Sequence, residues 1–184
     1  MNCGNSRTMF GVSPDQGISV LIRYPDWLFL DAVLSSKPKW NNIVETGTYY
    51  GLTSLYLGVV AELRGGQVHT FDRIDQRLQN ILNAWPDCVH FCHEDILGQF
   101  CSELSRWASR PNTFVFFDNG DKVKEVHIYA KRLDVGSGFV IHDCGLEWKE
   151  EDLMYPVTEW GCSEYMKDVA LELGTSCRCY VRTK

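Results

Sequence analysis

The 184-residue sequence predicts an α/β domain, a doubly wound, mostly parallel sheet of about six or seven strands with helices on both faces. Two observations carry the prediction. Short runs rich in Val, Ile and Phe recur along the chain, and segments with helical spacing lie between them in regular alternation.

The elements follow in order. "PDWLFLDAVLSSKP" (25–38) reads as a helix ahead of the sheet, with Asp26 near its start and Pro38 beyond its end. Strands are expected at 42–46, 67–72, 88–95, 113–118, 138–143 and 176–182. Between them the spacing predicts helices over 51–63, 74–85, 95–109, 121–133 and 157–173. No linker, repeat or low-complexity segment divides the chain. It is expected to be one domain over 1–184, with 1–40 as an N-terminal helical extension.

Composition narrows the function. A hydrophobic content of 45% suffices for one good core. The net charge of -6 offers no broad basic surface for a phosphate backbone, so nucleic acid is not an expected partner. "MNCGNSRTMF" has no apolar core region, and no apolar run approaches the ~20 residues of a membrane span. The expectation is a soluble, cytoplasmic protein without a membrane partner. Eight cysteines form no C-x-x-C pairs of the zinc-ribbon kind. They read as core thiols, with Cys177 and Cys179 on one face of a strand.

In such sheets ligands bind outside the carboxyl ends of the strands, which makes those ends the places to search. The first strand runs into "VETGTYYG", where Gly47 and Gly51 would let a ligand approach the backbone and the next helix would present free N–H groups to an anion. Asp72 ends the second strand, where a carboxylate can accept both hydrogen bonds of a ribose diol. Glu94 and Asp95 close the third, suitably placed for an adenine amino group. The set points to a nucleoside-containing ligand. Each residue also has a plainer role open to it: a glycine pair can be a tight turn, and Asp95 can cap the helix that follows. The chain lacks G-x-G-x-x-G, which counts against NAD.

With those residues in place, "VETGTYYGLTSLYLG" resembles the E-x-G-x-x-x-G first motif of class I S-adenosylmethionine-dependent methyltransferases, whose fold is Rossmann-like. The likeness covers Tyr24 to Gly145. It is strongest to the metal-assisted O-methyltransferases of the catechol, macrolide-sugar and cephalosporin-hydroxylase-like groups. The last of these shares a "P-D-W" helix ahead of a "KP…IVETGT" strand. The resemblance implies S-adenosylmethionine as cofactor, held by Glu45, Gly47, Thr48, Tyr49, Gly51, Asp72, Asp95 and Asp118. It also implies Mg²⁺ on Asp118 and Asp143, with His142 as a further ligand in one register. Two neighbouring hydroxyls of a small acceptor, a sugar or a catechol-like ring, would complete the shell. Lys122, Asp121 or His142 would take the proton, His142 because an unperturbed imidazole titrates near neutral pH.

Two departures accompany the likeness. Cys144 stands where catechol-type relatives carry Asp or Asn, and it is a soft ligand for magnesium. After Gly145 the family usually adds a sixth strand and an antiparallel seventh. Here one long helix and one strand are expected, so 146–184 reads as abbreviated and leaves room for help from a second subunit in a homo-oligomer. Trp148, Tyr155 and Trp160 are candidates to wall the acceptor site or to pack the core. The function expected is S-adenosylmethionine-dependent O-methyl transfer. The alternative is a non-catalytic relative that keeps the nucleoside pocket.

Overall fold

A computed structural model describes residues 23–98 and 100–184, and the side chains of all these except 154–156. Cys3, the part of the N-terminal extension before Arg23 and the Tyr155 side chain lie outside the described residues. Helix α1 (Tyr24–Ser36) precedes β1 (Asn42–Thr46), α2 (Leu52–Leu63) and β2 (Gln67–Asp72). A short α3 (Gln79–Leu82), β3 (Val89–His93), α4 (Ser102–Ala108), β4 (Thr113–Phe117), α5 (Lys122–Tyr129) and β5 (Gly138–Ile141) follow. The chain ends with α6 (Glu150–Glu159), β6 (Cys162–Tyr165), α7 (Lys167–Leu173) and β7 (Arg178–Arg182).

The seven strands form one sheet in the order β3-β2-β1-β4-β5-β7-β6. The first five pair in parallel, and β7 runs antiparallel to both of its neighbours. Strand order reverses between β1 and β4, which puts the ligand-binding crevice of such a sheet at the ends of those two strands.

Alternation along the strands builds two cores, one on each face. On β4, Phe114 and Phe116 join Trp27, Phe29, Leu30, Trp40 and Leu57, while Val115 and Phe117 join Phe71, Leu104, Trp107, Tyr129 and Phe139. Because both faces are covered, β4 is buried at every residue, which is why it reads as a continuous apolar run. Helix α1 lines the first of these cores through Trp27, Phe29, Leu30, Val33 and Leu34. That packing is the reason a helix ahead of the sheet belongs to the domain.

Four expected elements differ. The helix over 74–85 shrinks to α3, because Asp72 accepts from the Ile74 N–H and Asp75 binds the Arg77 guanidinium through both oxygens. These local bonds hold the chain in a turn that a helix would have to break. The helix over 95–109 begins only at α4, where Cys101 Sγ accepts from the Leu104 N–H. The helix over 121–133 ends in a 3-10 turn at Ala130–Arg132. The long helix over 157–173 is broken twice in left-handed backbone, at Gly161 (φ 72°) and Met166 (φ 60°), and β6 forms between the breaks. The C-terminal part therefore carries two strands where one was expected, and the sheet has seven. The described cysteines, seven of them, are all free, and Cys177 and Cys179 are buried together as expected.

Candidate functional site

The turn after β1 is fixed by the chain's own contacts. Gly47 has φ 86°, and a Cβ there would lie 2.7 Å from the carbonyl carbon of Asp118 and 3.0 Å from the Asn119 nitrogen. Gly51 has φ 87°, and a Cβ would lie 2.8 Å from the Trp85 ring, whose Nε1 donates to the Gly51 carbonyl at 3.0 Å. Both glycines are required by neighbouring protein atoms before any ligand is considered. Gly51 is the N-cap of α2 and brings no side-chain acceptor to its first turn.

Below the turn, Glu45 is fully buried. Its Oε2 accepts from the Ser54 hydroxyl and, at 2.6 Å, from Thr70 Oγ1, while Oε1 has no partner among the described residues. Burial, reinforced by the charges of Asp118 and Asp72 and opposed by the Ser54 and Thr70 hydrogen bonds, pushes its pKa up to about 8. Thr48 is buried, with Oγ1 2.5 Å from Thr70 Oγ1. Tyr49 takes a left-handed backbone (φ 46°), held by its N–H donating to Asp72 Oδ2 at 2.9 Å. Asp72 Oδ1 accepts from Ile74, so each oxygen of the expected ribose acceptor already takes one backbone N–H. A carboxylate oxygen has a second lone pair, so the diol role survives alongside this clamp.

Asp95 is engaged in a turn. It is exposed, and Oδ1 accepts from the N–H groups of Leu97 (3.2 Å) and Gly98 (2.8 Å), which hold its carboxyl below the usual range. Glu94 lies beside the β2 end, its N–H donating to the Asp72 carbonyl at 3.0 Å.

The ends of β4 and β5 are different. Here Asp118, His142 and Asp143 converge as the sequence suggested, with one ligand atom of each within 4.8 Å of the others. His142 Nδ1 is 2.9 Å from Asp118 Oδ1 and 3.4 Å from Asp143 Oδ2. Lys122, the first residue of α5, brings Nζ to 3.7 Å from Asp118 Oδ1, 3.4 Å from Asp143 Oδ2 and 2.5 Å from Glu147 Oε2. Asp121 is the N-cap of that helix, its Oδ1 accepting from the Lys124 N–H at 3.0 Å. Asp143 has a left-handed backbone (φ 60°), which turns the chain at the rim.

Three features here escaped the sequence. Asp26 of "PDW" is buried, and its Oδ2 lies 3.5 Å from His142 Nε2 while Oδ1 accepts from Thr175 Oγ1 (2.5 Å), Ser176 N (2.9 Å) and Ser176 Oγ (3.1 Å). Glu147 caps the Lys122 ammonium. Glu125, fully buried, accepts from the Thr46 hydroxyl and is pushed up to about 8 by its burial. The "PDW" motif was the one available signal for Asp26, and a residue at a helix start is more simply read as a cap.

The charges of the cluster shift one another. Burial alone would lower the His142 pKa, but hydrogen bonds to Asp118 and Asp26 and the charge of Asp143 outweigh it and raise the imidazole to about 10. Burial likewise opposes the Lys122 ammonium, and Asp118, Glu147 and Asp143 more than offset it, leaving that pKa above its ordinary value. Burial raises Asp118, with His142 and Lys122 pulling the other way. Asp26 is also desolvated, yet its bonds from His142, Thr175 and Ser176 hold it well below the carboxylate range. The carboxylates around His142 thus favour its imidazolium form, where the sequence suggested an imidazole poised to take a proton.

Two of the aromatics after β5 pack against the protein. Trp148 is buried and its Nε1 donates to the His142 carbonyl at 2.6 Å. Trp160 packs edge-on against His127, beside the core.

No family model matches this sequence, and no curated protein matches it. Solved structures do. An S-adenosylmethionine-dependent O-methyltransferase from Thermotoga maritima superposes with a TM-score of 0.66 at 13% identity, over 93% of this chain and 69% of that one. CmcI, in a structure with Mg and S-adenosylmethionine, gives 0.62 at 17% identity, over 92% and 75%. A cofactor-bound protein from MTB gives 0.62 at 15%, over 96% and 93%. The chain has the fold of these proteins, the Rossmann-like methyltransferase fold that its first motif suggested.

Proposed function

We propose that this chain is an S-adenosylmethionine-dependent O-methyltransferase for a small hydroxylated acceptor. The observation that carries the reading is the distribution of acids along the carboxyl rim of a methyltransferase-type sheet: Glu45, Asp72, Asp118 and Asp143 stand at or just past the ends of β1, β2, β4 and β5. Such folds host many functions, so the site and not the fold bears the weight.

The residues present fit the cofactor. Glu45 Oε1 is a buried oxygen without a partner among the described residues, and an ammonium beside it would offset the burial that raises this carboxyl and favour its ionised, accepting form. Asp72 has lone pairs left for a ribose diol. The uncapped first turn of α2 suits a carboxylate. When bound, S-adenosylmethionine supplies an electrophilic methyl on a sulfonium. Asp143, the carboxylate of the cluster at the more open edge, would accept the proton of an acceptor hydroxyl held beside it. Lys122 and His142, both cationic, stabilise the developing alkoxide and orient Asp118 and Asp143. Asp118 also fixes the β4 end against β1, its N–H donating to the Thr46 carbonyl at 3.1 Å.

A magnesium ion does not fit this donor set as readily. Asp118 and Asp143 offer two hard oxygens, the third member, His142, is a softer nitrogen ligand, and the Lys122 ammonium already stands 3.7 Å and 3.4 Å from the two carboxylates. No step is therefore assigned to a metal.

Calorimetry with S-adenosylmethionine, its demethylated product and NAD tests the reading. The first two are expected to bind at one ligand per chain and NAD to give no heat. Folded protein that takes up neither of the first two, or binds NAD as well, would end the proposal.

A further inference from the structure

Lys122 holds the place in this cluster that a cation would need. Its side chain is only 4% exposed although lysine is rarely buried, and the ammonium is in reach of three carboxylates contributed by the β4 end, the β5 end and the loop after β5. Asp118 Oδ1 and Asp143 Oδ2 are the oxygens nearest to one another's partners, since both also face His142 Nδ1. An octahedral Mg²⁺ needs its oxygens at about 2.0 to 2.1 Å and keeps several waters. Any position that close to both oxygens is flanked by the ammonium and by the imidazole edge. Cys144, the position that distinguishes this chain from catechol-type relatives, does not repair the set: it is not among the grouped ligand atoms, and its backbone N–H is spent on the Ser176 carbonyl at 2.7 Å.

We infer that Lys122 is the resident cation of the β4–β5 rim, an ammonium standing between Asp118, Asp143 and Glu147 where related sites would hold a divalent metal. The ammonium is met on three sides, at 3.7 Å, 3.4 Å and 2.5 Å from oxygens of Asp118, Asp143 and Glu147, without an ion. The strength of the arrangement lies in permanence: a lysine anchored at the first position of α5 cannot dissociate or be exchanged for a wrong metal. Its chemical consequence is that acceptor alkoxides are stabilised by one charge and by N–H donors, not by bidentate chelation. The site then has no requirement for two adjacent hydroxyls, and acceptors with a single hydroxyl are admitted. This deepens the methyl-transfer reading, but the metal-binding experiment below needs neither cofactor nor acceptor, so the two can fail separately.

The probe is Mn²⁺, which shares the oxygen-donor, octahedral preference of Mg²⁺ and whose free aqua ion is counted directly by electron paramagnetic resonance. Wild-type protein is expected to leave Mn²⁺ free up to millimolar concentration, on the order of the weakest sites such acids form. Lys122→Ala opens the position and should bind at least about tenfold more tightly, equivalent to 1.4 kcal/mol. Adding Asp118→Asn to it should abolish the gain. Circular dichroism checks the fold of each variant, and Lys122→Gln, of similar length, carries the same expectation if the alanine variant does not fold. Tight Mn²⁺ binding by wild type that is lost in Asp118→Asn overturns the inference, as does a folded Lys122 variant that binds no better than wild type.

Discussion

The two halves of the carboxyl rim use similar residues to different ends. On the β1–β2 side, Asp72 spends an oxygen on each of two backbone N–H groups, and Gly47 and Gly51 are demanded by Asp118 and Trp85. On the β4–β5 side, Asp118 and Asp143 face the ionisable side chains of Lys122 and His142. The first half is a seat pinned by backbone contacts, and the second is a set of side-chain ion pairs. A glycine or an acid at a strand end can therefore mark a site while doing its own work inside the protein.

Substitutions at glycine should break the contrast most. Gly47→Ala puts a methyl against the Asp118–Asn119 backbone in a left-handed conformation, and a loss of about 3 kcal/mol or more is expected. Gly120, with nothing within 4 Å of its absent Cβ, is the control, and Gly120→Ala should stay within about 0.5 kcal/mol of wild type. Urea denaturation decides. A Gly47→Ala variant as stable as the control would mean that the seat is not rigid.

Two buried histidines sharpen the same contrast through pH. His69 on β2 stacks on Trp107 at 3.4 Å beside His90, Arg110, Arg106 and Glu103, and burial lowers its pKa to about 4. Neutral in the folded chain and titrating at its ordinary 6.5 in the unfolded one, it costs no stability above pH 6.5 and loses up to about 3 kcal/mol as pH falls from 6.5 through 4. His142 is the reverse. Its pKa is raised from 6.5 to about 10, so its contribution is complete below pH 6.5 and is lost as pH rises through 10. In melts across pH, His69→Phe should flatten only the acid limb and His142→Gln only the alkaline one. Effects on the opposite limbs would show that the charge states have been assigned the wrong way round.

The smallest effect belongs to Asp95. Its side chain caps an exposed turn, so Asp95→Ala is expected to move Tm by no more than about 2 °C and to leave S-adenosylmethionine affinity unaltered. A marked loss of affinity would restore the adenine-facing role.

Most of the strands were legible because burial on both faces writes them as uninterrupted apolar runs, as in "TFVFF". β6 was not. "CSEY" is short, mixed in polarity and flanked by residues with helical spacing, and only the left-handed breaks at Gly161 and Met166 separate it from α6 and α7. At the site, Asp118, His142 and Asp143 could be found because each ends a recognisable strand. The reason for Gly47 could not, since the atoms that exclude a side chain come from Asp118 and Asn119. Charge states were equally hidden: a histidine's ordinary pKa predicts a base, and only its neighbours make it a cation.

Asp26 ties three distant stretches to one carboxylate, the first helix that carries it, the β5 end through His142, and the loop before β7 through Thr175 and Ser176. For an evolving sequence this is a knot of epistasis. Replacing any one partner strands the others in a buried polar pocket, so change should come in coordinated sets, and the identities at 26, 142, 175 and 176 should covary among descendants.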